Sequence, residues 1–145
     1  MTATHTAHSL ARRLRLALGL TVDPTYRAAL VVANDHGLIT GRSRTRYDLP
    51  VMAAAETILC SSLAGSGLSR DPRAVLDGVR ATGLARYLAA LFLDRSALTK
   101  AELHVDGTGA ATVRVGGKVH EFGGPLPDGR VLRLTGALLA EVVGV

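Results

Sequence analysis

Residues 49–63 read LPVMAAAETILCSSL, an apolar run that contains a single charged residue, Glu56. Alanine, methionine and leucine are strong helix formers, and Gly65–Ser66–Gly67 follows as a stop signal. The run therefore predicts a helix over Leu49 to Leu63. A lone carboxylate inside such a helix is costly unless it is paired. We expect Glu56 to be either a functional residue or a salt-bridged residue near the surface.

The segment before this helix predicts a β-hairpin. Apart from Arg27, Tyr26–Ala33 is apolar and contains a β-branched pair, as in a buried strand. Asn34–Gly37 supplies turn residues, and Leu38–Gly41 forms the predicted return strand. A helix over residues 24–36 is the alternative, because Asp23–Pro24 is a good helix start. The β-branched pair and the Asp-His-Gly turn favour the hairpin.

The remaining segments alternate between helical and strand patterns, which is typical of a layered α/β domain. We expect one domain over residues 1–145, with an N-terminal helix and tail over 1–22 and an α/β core over 23–145. The other predicted elements are a helix over 6–20 that stops near Gly19, a strand or helical turn over Arg73–Val79, a helix over Leu84–Leu93, strands at Ala101–Val105, Ala111–Val115 and Lys118–Phe122, and a helix over Arg133–Val143.

Composition argues against several classes of protein. The chain has 145 residues, 48% of them hydrophobic, which is the size and composition of one globular domain. Three Tyr, two Phe and no Trp argue against a base-stacking surface for single-stranded nucleic acid. No apolar run is long enough for a membrane-spanning helix, and the N-terminus lacks a signal-peptide layout. We therefore expect a cytoplasmic protein with no membrane partner.

Five stretches occur in an order that carries a family resemblance. They are Ala28–Leu30 with Thr40–Gly41, Ala54–Glu56, Gly83–Leu88, Leu103–Gly109 and Leu134–Leu139. In this order they resemble the cytidine deaminase family, in which a Cys-Ala-Glu sequence begins the second helix. The resemblance covers the chain from about Tyr26 to its end. It implies a three-layer α/β/α fold with a mixed sheet, helices on both faces, and an oligomeric protein.

The residues that bind zinc in that family are absent from this chain. Three His or Cys side chains hold the metal in zinc deaminases, and the matching positions here are Ala54, Thr82 and Ala85. The only cysteine, Cys60, lies elsewhere. We therefore expect no metal and no cofactor, and a reaction other than ordinary cytidine deamination. The resemblance keeps Glu56 at the proton-shuttle position and Arg86 after the second motif.

An arginine-rich loop precedes the central helix and is a candidate ligand site. Arg42, Arg44 and Arg46 alternate with Ser43 and Thr45, which places the guanidinium groups on one side of an extended chain. Such groups recognise phosphate or carboxylate. A solvated loop or a subunit contact explains the same pattern. The candidate substrate-binding residues are Arg42, Ser43, Arg44, Thr45, Arg46, Tyr47, Thr82 and Arg86.

Cys60 and two histidines complete the candidates. Cys60 lies one helical turn after Glu56, on the same face, which suggests a thiol nucleophile or proton donor. A small core residue is the alternative, and a nearby carboxylate raises the pKa of a thiol. His104 and His120 lie on separate predicted strands and could meet across the sheet, although ordinary strand residues explain both.

Three functions fit these observations. The first is a zinc-free, deaminase-like protein that acts on or binds a small heterocyclic, nucleoside-like or anionic metabolite, with Glu56 as general acid or base. The second is a non-catalytic subunit that forms a dimer or tetramer. The third is a basic nucleic-acid-binding protein, which the net charge of +5 favours only mildly because the arginines are dispersed.

Overall fold

The structure is a computed structural model that describes residues 6–38, 49–124, 126 and 129–144. Helices dominate the first two thirds of the chain, and the strands follow. In order, the elements are α1 (Ala7–Leu18), α2 (Val22–Asp35), α3 (Val51–Gly65), α4 (Pro72–Ala81), α5 (Leu84–Phe92), α6 (Arg95–Thr99), β1 (Ala101–Val105), β2 (Ala111–Val115), β3 (Lys118–Phe122), β4 (Leu132–Thr135) and α7 (Gly136–Val143). None of the described helices is long and apolar enough to cross a membrane.

The central helix confirms the prediction made from residues 49–63. Every residue of α3 from Ala53 to Gly65 is buried, and α1, α2, α4 and α5 all pack against it. The apolar sequence explains this position, because a helix that is hydrophobic on all sides is stable only when it is surrounded.

The predicted hairpin before this helix is wrong where the structure describes it, and the helical alternative is confirmed. Residues of both predicted strands and their turn fall in or just after α2, and 39–41 lie outside the described residues. Ala28, Val32 and Ala33 are buried at helical spacing. Packing against α3 outweighs the weak β preference of the β-branched pair.

The other predictions for the helices are confirmed in part. α1 ends at Gly19, which adopts a left-handed conformation with φ of 65°, and α5 begins at its predicted start and ends one residue before its predicted end, Leu93. The segment Arg73–Val79, predicted to be a strand or a helical turn, lies in the helix α4, which begins after the N-cap Asp71. The short helix α6 was not predicted.

The strands form a four-stranded sheet in the order β3-β2-β1-β4, and all three described pairings are antiparallel. β1, β2 and β3 have their predicted bounds. The predicted helix over Arg133–Val143 is wrong at its start, because Leu132–Thr135 forms β4 beside β1. The class is therefore mixed α and β, but the expectation of a mixed parallel and antiparallel sheet is wrong for the described strands.

Only one face of this sheet is covered by described helices. Leu103, Val113 and Leu134 lie side by side on the buried face, against which α7 packs. The opposite face exposes Glu102 and Arg133, whose side chains are 35% and 63% accessible. The expected three-layer arrangement, with helices on both faces, is thus not found among the described residues.

Candidate functional site

Glu56 lies in the middle of α3, and both of its carboxylate oxygens have partners. Its side chain is 1% exposed. Oε1 is hydrogen-bonded to Nε2 of His36, and Arg80 Nε donates to Oε2 at 2.5 Å. Arg80 Nη2 also donates to Oε1, at 3.1 Å. The structure therefore pairs the buried carboxylate with a residue from the end of α2 and another from α4.

The ion pairs continue from Arg80 toward solvent. Arg80 Nη2 lies 2.6 Å from Asp35 Oδ2. On the other side of Asp35, Arg73 Nη1 donates to Oδ1 at 2.5 Å, and Arg73 Nη2 lies 3.2 Å from Asp77. We call His36, Glu56, Arg80, Asp35, Arg73 and Asp77 the α2–α3–α4 network. From Glu56 through Arg80, Asp35 and Arg73 to Asp77, negative and positive groups alternate.

Hydrogen bonding inside the network shifts the ionisation of its members. Hydrogen bonds from Arg73 and then Arg80 lower the pKa of Asp35 from 3.8 to about 2. The hydrogen bond to Glu56, followed by that to Asp35, raises the pKa of Arg80 above its already high ordinary value. Arg80 thus keeps its positive charge under all physiological conditions.

The end of α2 holds His36 in place beside α3. The amide of His36 donates to the Val32 carbonyl at 3.1 Å, and Leu38 N donates back to Ala33 O at 2.9 Å. Gly37 between them has a φ of 67°, a conformation that side chains disfavour. The helix therefore ends at His36, whose ring contacts the carboxylate of Glu56.

His36 connects the buried Glu56 to the surface. Its side chain is 24% accessible, against 1% for Glu56. An ionised carboxylate only accepts hydrogen bonds, so an imidazole that donates to it from Nε2 has, when neutral, its acceptor lone pair at Nδ1. An imidazole oriented in this way by a carboxylate can accept and return a proton.

Cys60 is a core residue in this structure. It is fully buried within the hydrophobic core. Burial, and secondarily the charge of Glu56, raises the pKa of its thiol to about 12. Since the thiolate is the nucleophilic form, the structure argues against the predicted nucleophile and for the alternative, a small apolar residue.

The predicted substrate-binding residues divide into two groups. Arg42, Ser43, Arg44, Thr45, Arg46 and Tyr47 lie outside the described residues. Thr82 caps the turn between α4 and α5, where its hydroxyl donates to Gly109 O at 3.3 Å and accepts from Leu84 N at 3.4 Å. Arg86 is exposed on α5. None of the hydrogen bonds found among the described residues links Thr82 or Arg86 to Glu56.

The two strand histidines do not meet. His104 pairs with Thr112 across β1 and β2, whereas His120 pairs with Val113, so the two side chains point to opposite faces of the sheet. His104 contacts Glu102 at 2.8 Å. The ring of His120 lies 5.2 Å from that of Tyr87. The prediction that they could meet is wrong.

The sequence predicts the importance of Glu56 but not that of His36, Arg80 and Asp35, which complete the network around it. One signal was available: Arg73, Asp77 and Arg80 follow each other at i, i+4 and i+7, which places them on one face of a helix. That signal depends on treating the segment as a helix, which the sequence left open. His36 was assigned to a hairpin turn, and its position beside Glu56 follows only from α2.

The described residues include no group of three or more His, Cys, Asp or Glu side chains that could hold a metal ion. Ala54 and Ala85, at two of the family's ligand positions, are fully buried. No family model, curated protein or solved structure matches this chain. The resemblance to cytidine deaminases is therefore supported only by the residues quoted for it.

Proposed function

We propose that the protein carries out acid–base chemistry on a small heterocyclic or anionic metabolite, with His36 as the group that exchanges a proton with the ligand. The observation that carries this proposal is the contact between His36 and Glu56. The His36 side chain is partly exposed, and its Nε2 contacts the buried carboxylate of Glu56. In this proposal His36 is the general acid or base, in place of Glu56, to which the sequence assigned that role. Glu56 is a positioning residue that orients the imidazole.

The occupancy of both Glu56 oxygens supports this assignment. A carboxylate that already accepts from Arg80 at two atoms and from His36 has little capacity left to exchange a proton with a ligand. A buried ion pair is also a poor way to gain stability, because hydrophobic residues of similar volume often stabilise as well or better. A role in orienting the imidazole gives the buried charge a function.

An anionic ligand would require cations from outside the network. Arg73 and Arg80 are both engaged by Asp35, and each has a second carboxylate partner. Arg42, Arg44 and Arg46 follow His36 closely in sequence. We assign recognition of a phosphate or carboxylate to these three arginines.

The proposed location of the protein is the cytoplasm.

Conversion of a defined metabolite panel tests the proposal. Purified full-length chain is incubated with cytidine, deoxycytidine, adenosine and their 5′-monophosphates, and consumption is followed by liquid chromatography with mass spectrometry. His36→Gln is expected to lower turnover about 10²-fold or more. His104→Gln is the matched control, because His104 also contacts a carboxylate but lies on the exposed sheet face.

The variant Glu56→Gln distinguishes a role of Glu56 in positioning His36 from a role in folding. It is expected to lower kcat and to change the pH profile of turnover while the far-ultraviolet circular dichroism keeps the native signal. Turnover by His36→Gln at the wild-type rate would refute the role of His36. Failure of the wild type to convert any member of the panel would count against an enzyme of this substrate class.

A non-catalytic binding subunit is the second candidate. The same saturation of Glu56 by residues of its own chain favours it, because the α2–α3–α4 network is complete without a ligand. This candidate predicts that a panel member binds without being converted. Isothermal titration calorimetry on the same panel, with no product detected, distinguishes it from the enzyme.

A further inference from the structure

The first two helices present one continuous outward surface. α1 and α2 contact each other and both pack on α3, so they form a layer over the central helix. His8 of α1 stacks on Tyr26 of α2, with the ring centroids 4.6 Å apart, and this contact joins the outward sides of the two helices. The residues at helical spacing from these two rings are called the α1–α2 face together with them: His8, Arg12 and Leu16 from α1, and Tyr26, Arg27 and Leu30 from α2.

Each helix places one exposed leucine on this face. Leu16 is 62% exposed and Leu30 is 50% exposed. A single exposed leucine is common on protein surfaces, but these two share the same surroundings on adjacent helices. Arg12 lies one turn before Leu16, and Arg27 lies one turn before Leu30. The face therefore twice presents an apolar side chain beside a guanidinium group.

The charge of the two helices is predominantly positive. α1 contains three arginines and no acidic residue, and Arg27 adds a fourth cation from α2. Asp35 is paired with arginines of α4, so Asp23 is the acidic residue of α1 and α2 that lies outside the α2–α3–α4 network. None of the ion pairs found among the described residues includes Arg12 or Arg27.

We infer that the α1–α2 face binds the surface of an anionic lipid bilayer. Guanidinium groups at Arg12 and Arg27 would hydrogen-bond to the phosphates of the lipid headgroups. Leu16 and Leu30, one turn further along each helix, would enter the boundary between headgroups and acyl chains and bury apolar surface there. The ring of Tyr26 suits the same boundary, because it is apolar with a polar end.

The exposed leucines are the reason to choose a lipid surface over a nucleic acid. The backbone of a nucleic acid attracts arginines as a bilayer does, but it has no apolar layer for Leu16 and Leu30. The expectation of no membrane partner came from the lack of a membrane-spanning segment, and binding at the surface needs no such segment. The inference is independent of the proposed function, because the α1–α2 face and the α2–α3–α4 network have no residue in common.

Co-sedimentation with vesicles tests the inference. The full chain is mixed with vesicles of phosphatidylcholine, either alone or with phosphatidylglycerol as the anionic lipid. We expect binding to the anionic vesicles, weakening as the salt concentration rises, and little binding to phosphatidylcholine alone. Arg12→Glu and Arg27→Glu are each expected to lower the partition coefficient about tenfold or more.

The leucines are tested in the same assay. Leu16→Gln and Leu30→Gln are each expected to lower the partition coefficient about fivefold or more, since each removes an apolar side chain from the bilayer. Leu93→Gln and Arg95→Glu are the matched controls, because both residues are exposed but lie outside α1 and α2. Both controls are expected to bind as the wild type does.

All four tested side chains are exposed, so the variants are expected to fold, and circular dichroism verifies this. A wild type that does not bind the anionic vesicles overturns the inference. Binding that the two leucine variants leave unchanged also overturns it, because the apolar contacts would then contribute nothing. Binding of duplex DNA in a gel-shift assay that Arg12→Glu and Arg27→Glu abolish, without binding to vesicles, would assign the face to nucleic acid instead.

Discussion

At the scale of single residues, Arg80 is the side chain on which the burial of Glu56 depends. It donates twice to a carboxylate that is 1% exposed, while its own side chain is 33% exposed. Removal of one partner from a buried ion pair costs more than the pair itself contributes, because the remaining charge keeps its desolvation penalty. Of the three described hydrogen bonds to this carboxylate, removal of Arg80 leaves only the one from His36.

We therefore expect Arg80→Met to lower the free energy of unfolding by about 3–5 kcal/mol. Arg73→Met is the matched control, since Arg73 lies on the same helix and contacts Asp35 but is 53% exposed. Its effect on the urea midpoint should be small. Urea denaturation followed by circular dichroism measures both variants. Equal losses would mean that Glu56 does not depend on Arg80.

The sequence predicted the importance of Glu56 but not how it is paired. A single carboxylate in an apolar run is visible in any window of the sequence, because burial of an unpaired charge is costly wherever it occurs. Its partners come from 20 and 24 residues away. Which cation reaches it depends on how α2 and α4 pack on α3, and local patterns do not contain that information.

At the scale of elements, Asp35 ties the end of α2 to α4. Its pKa falls from 3.8 to about 2 in the folded protein because Arg73, and then Arg80, donate to it. Between these two pH values the unfolded chain binds more protons than the folded one, so stability falls as the pH is lowered through this window. Above it the full contribution is present.

Asp35→Asn is expected to lower the urea midpoint at pH 6 and to show progressively less difference from the wild type as the pH falls from 4 toward 2. Glu102, whose pKa is also lowered, by His104 and Arg133, titrates in both proteins and cancels in the comparison. Urea midpoints at a series of pH values provide the measurement. A difference that is constant with pH would show that ionisation of Asp35 contributes nothing.

The contact between α4 and the β1–β2 turn depends on Gly78. A Cβ atom at Gly78 would lie 2.1 Å from the carbonyl oxygen of Thr108. Helix propensity alone predicts that Gly78→Ala stabilises α4 by up to about 1 kcal/mol. The clash is with backbone, which cannot rotate away. We therefore expect the cost of overpacking to exceed the gain in helix propensity.

Gly78→Ala should accordingly destabilise the protein, by about 1–3 kcal/mol. Gly117→Ala is the control, because a Cβ atom there meets nothing within 4 Å. Thermal unfolding followed by circular dichroism distinguishes the two. A higher Tm for Gly78→Ala would mean that the turn does not pack on α4 as closely as the structure shows.

Local sequence determines some elements more firmly than others. β1 and β2 were predicted with their observed bounds because Asp106–Gly109 is a strong turn signal between two short apolar runs. α2 was misread because Tyr26–Ala33 suits a buried strand and a buried helix equally well, and contact with α3 decides between them. β4 was misread because its pairing with β1 is a long-range contact.

At the scale of the whole molecule, the order of short motifs proved a weak guide to architecture. The first piece of the resemblance, at Ala28–Leu30, belongs to a helix and not to a hairpin. The described strands all come after the five longest helices in sequence and form one antiparallel sheet. Motif order constrains which residues follow one another, but strand pairing and layering depend on contacts between distant segments.

The helices and the sheet share one hydrophobic core, which bears on the prediction of a single domain. Buried residues from α1 to α7 belong to the same cluster, Leu10 and Leu103 among them. α7 packs against α1 as well as β1 and β4, so the last helix joins the two halves. Halves that share a core and a connecting helix cannot separate without exposing apolar surface in both.

We therefore expect one cooperative unfolding transition. Tyr26, whose ring stacks on His8 at 4.6 Å, reports on the helical half, and Tyr87, 5.1 Å from Phe122, reports on the sheet. With 3-fluorotyrosine incorporated and both signals assigned through Tyr26→Phe and Tyr87→Phe, fluorine NMR should give one urea midpoint for both. Separate midpoints would divide the chain into two units, because one ring would then lose its native environment while the other half remained folded.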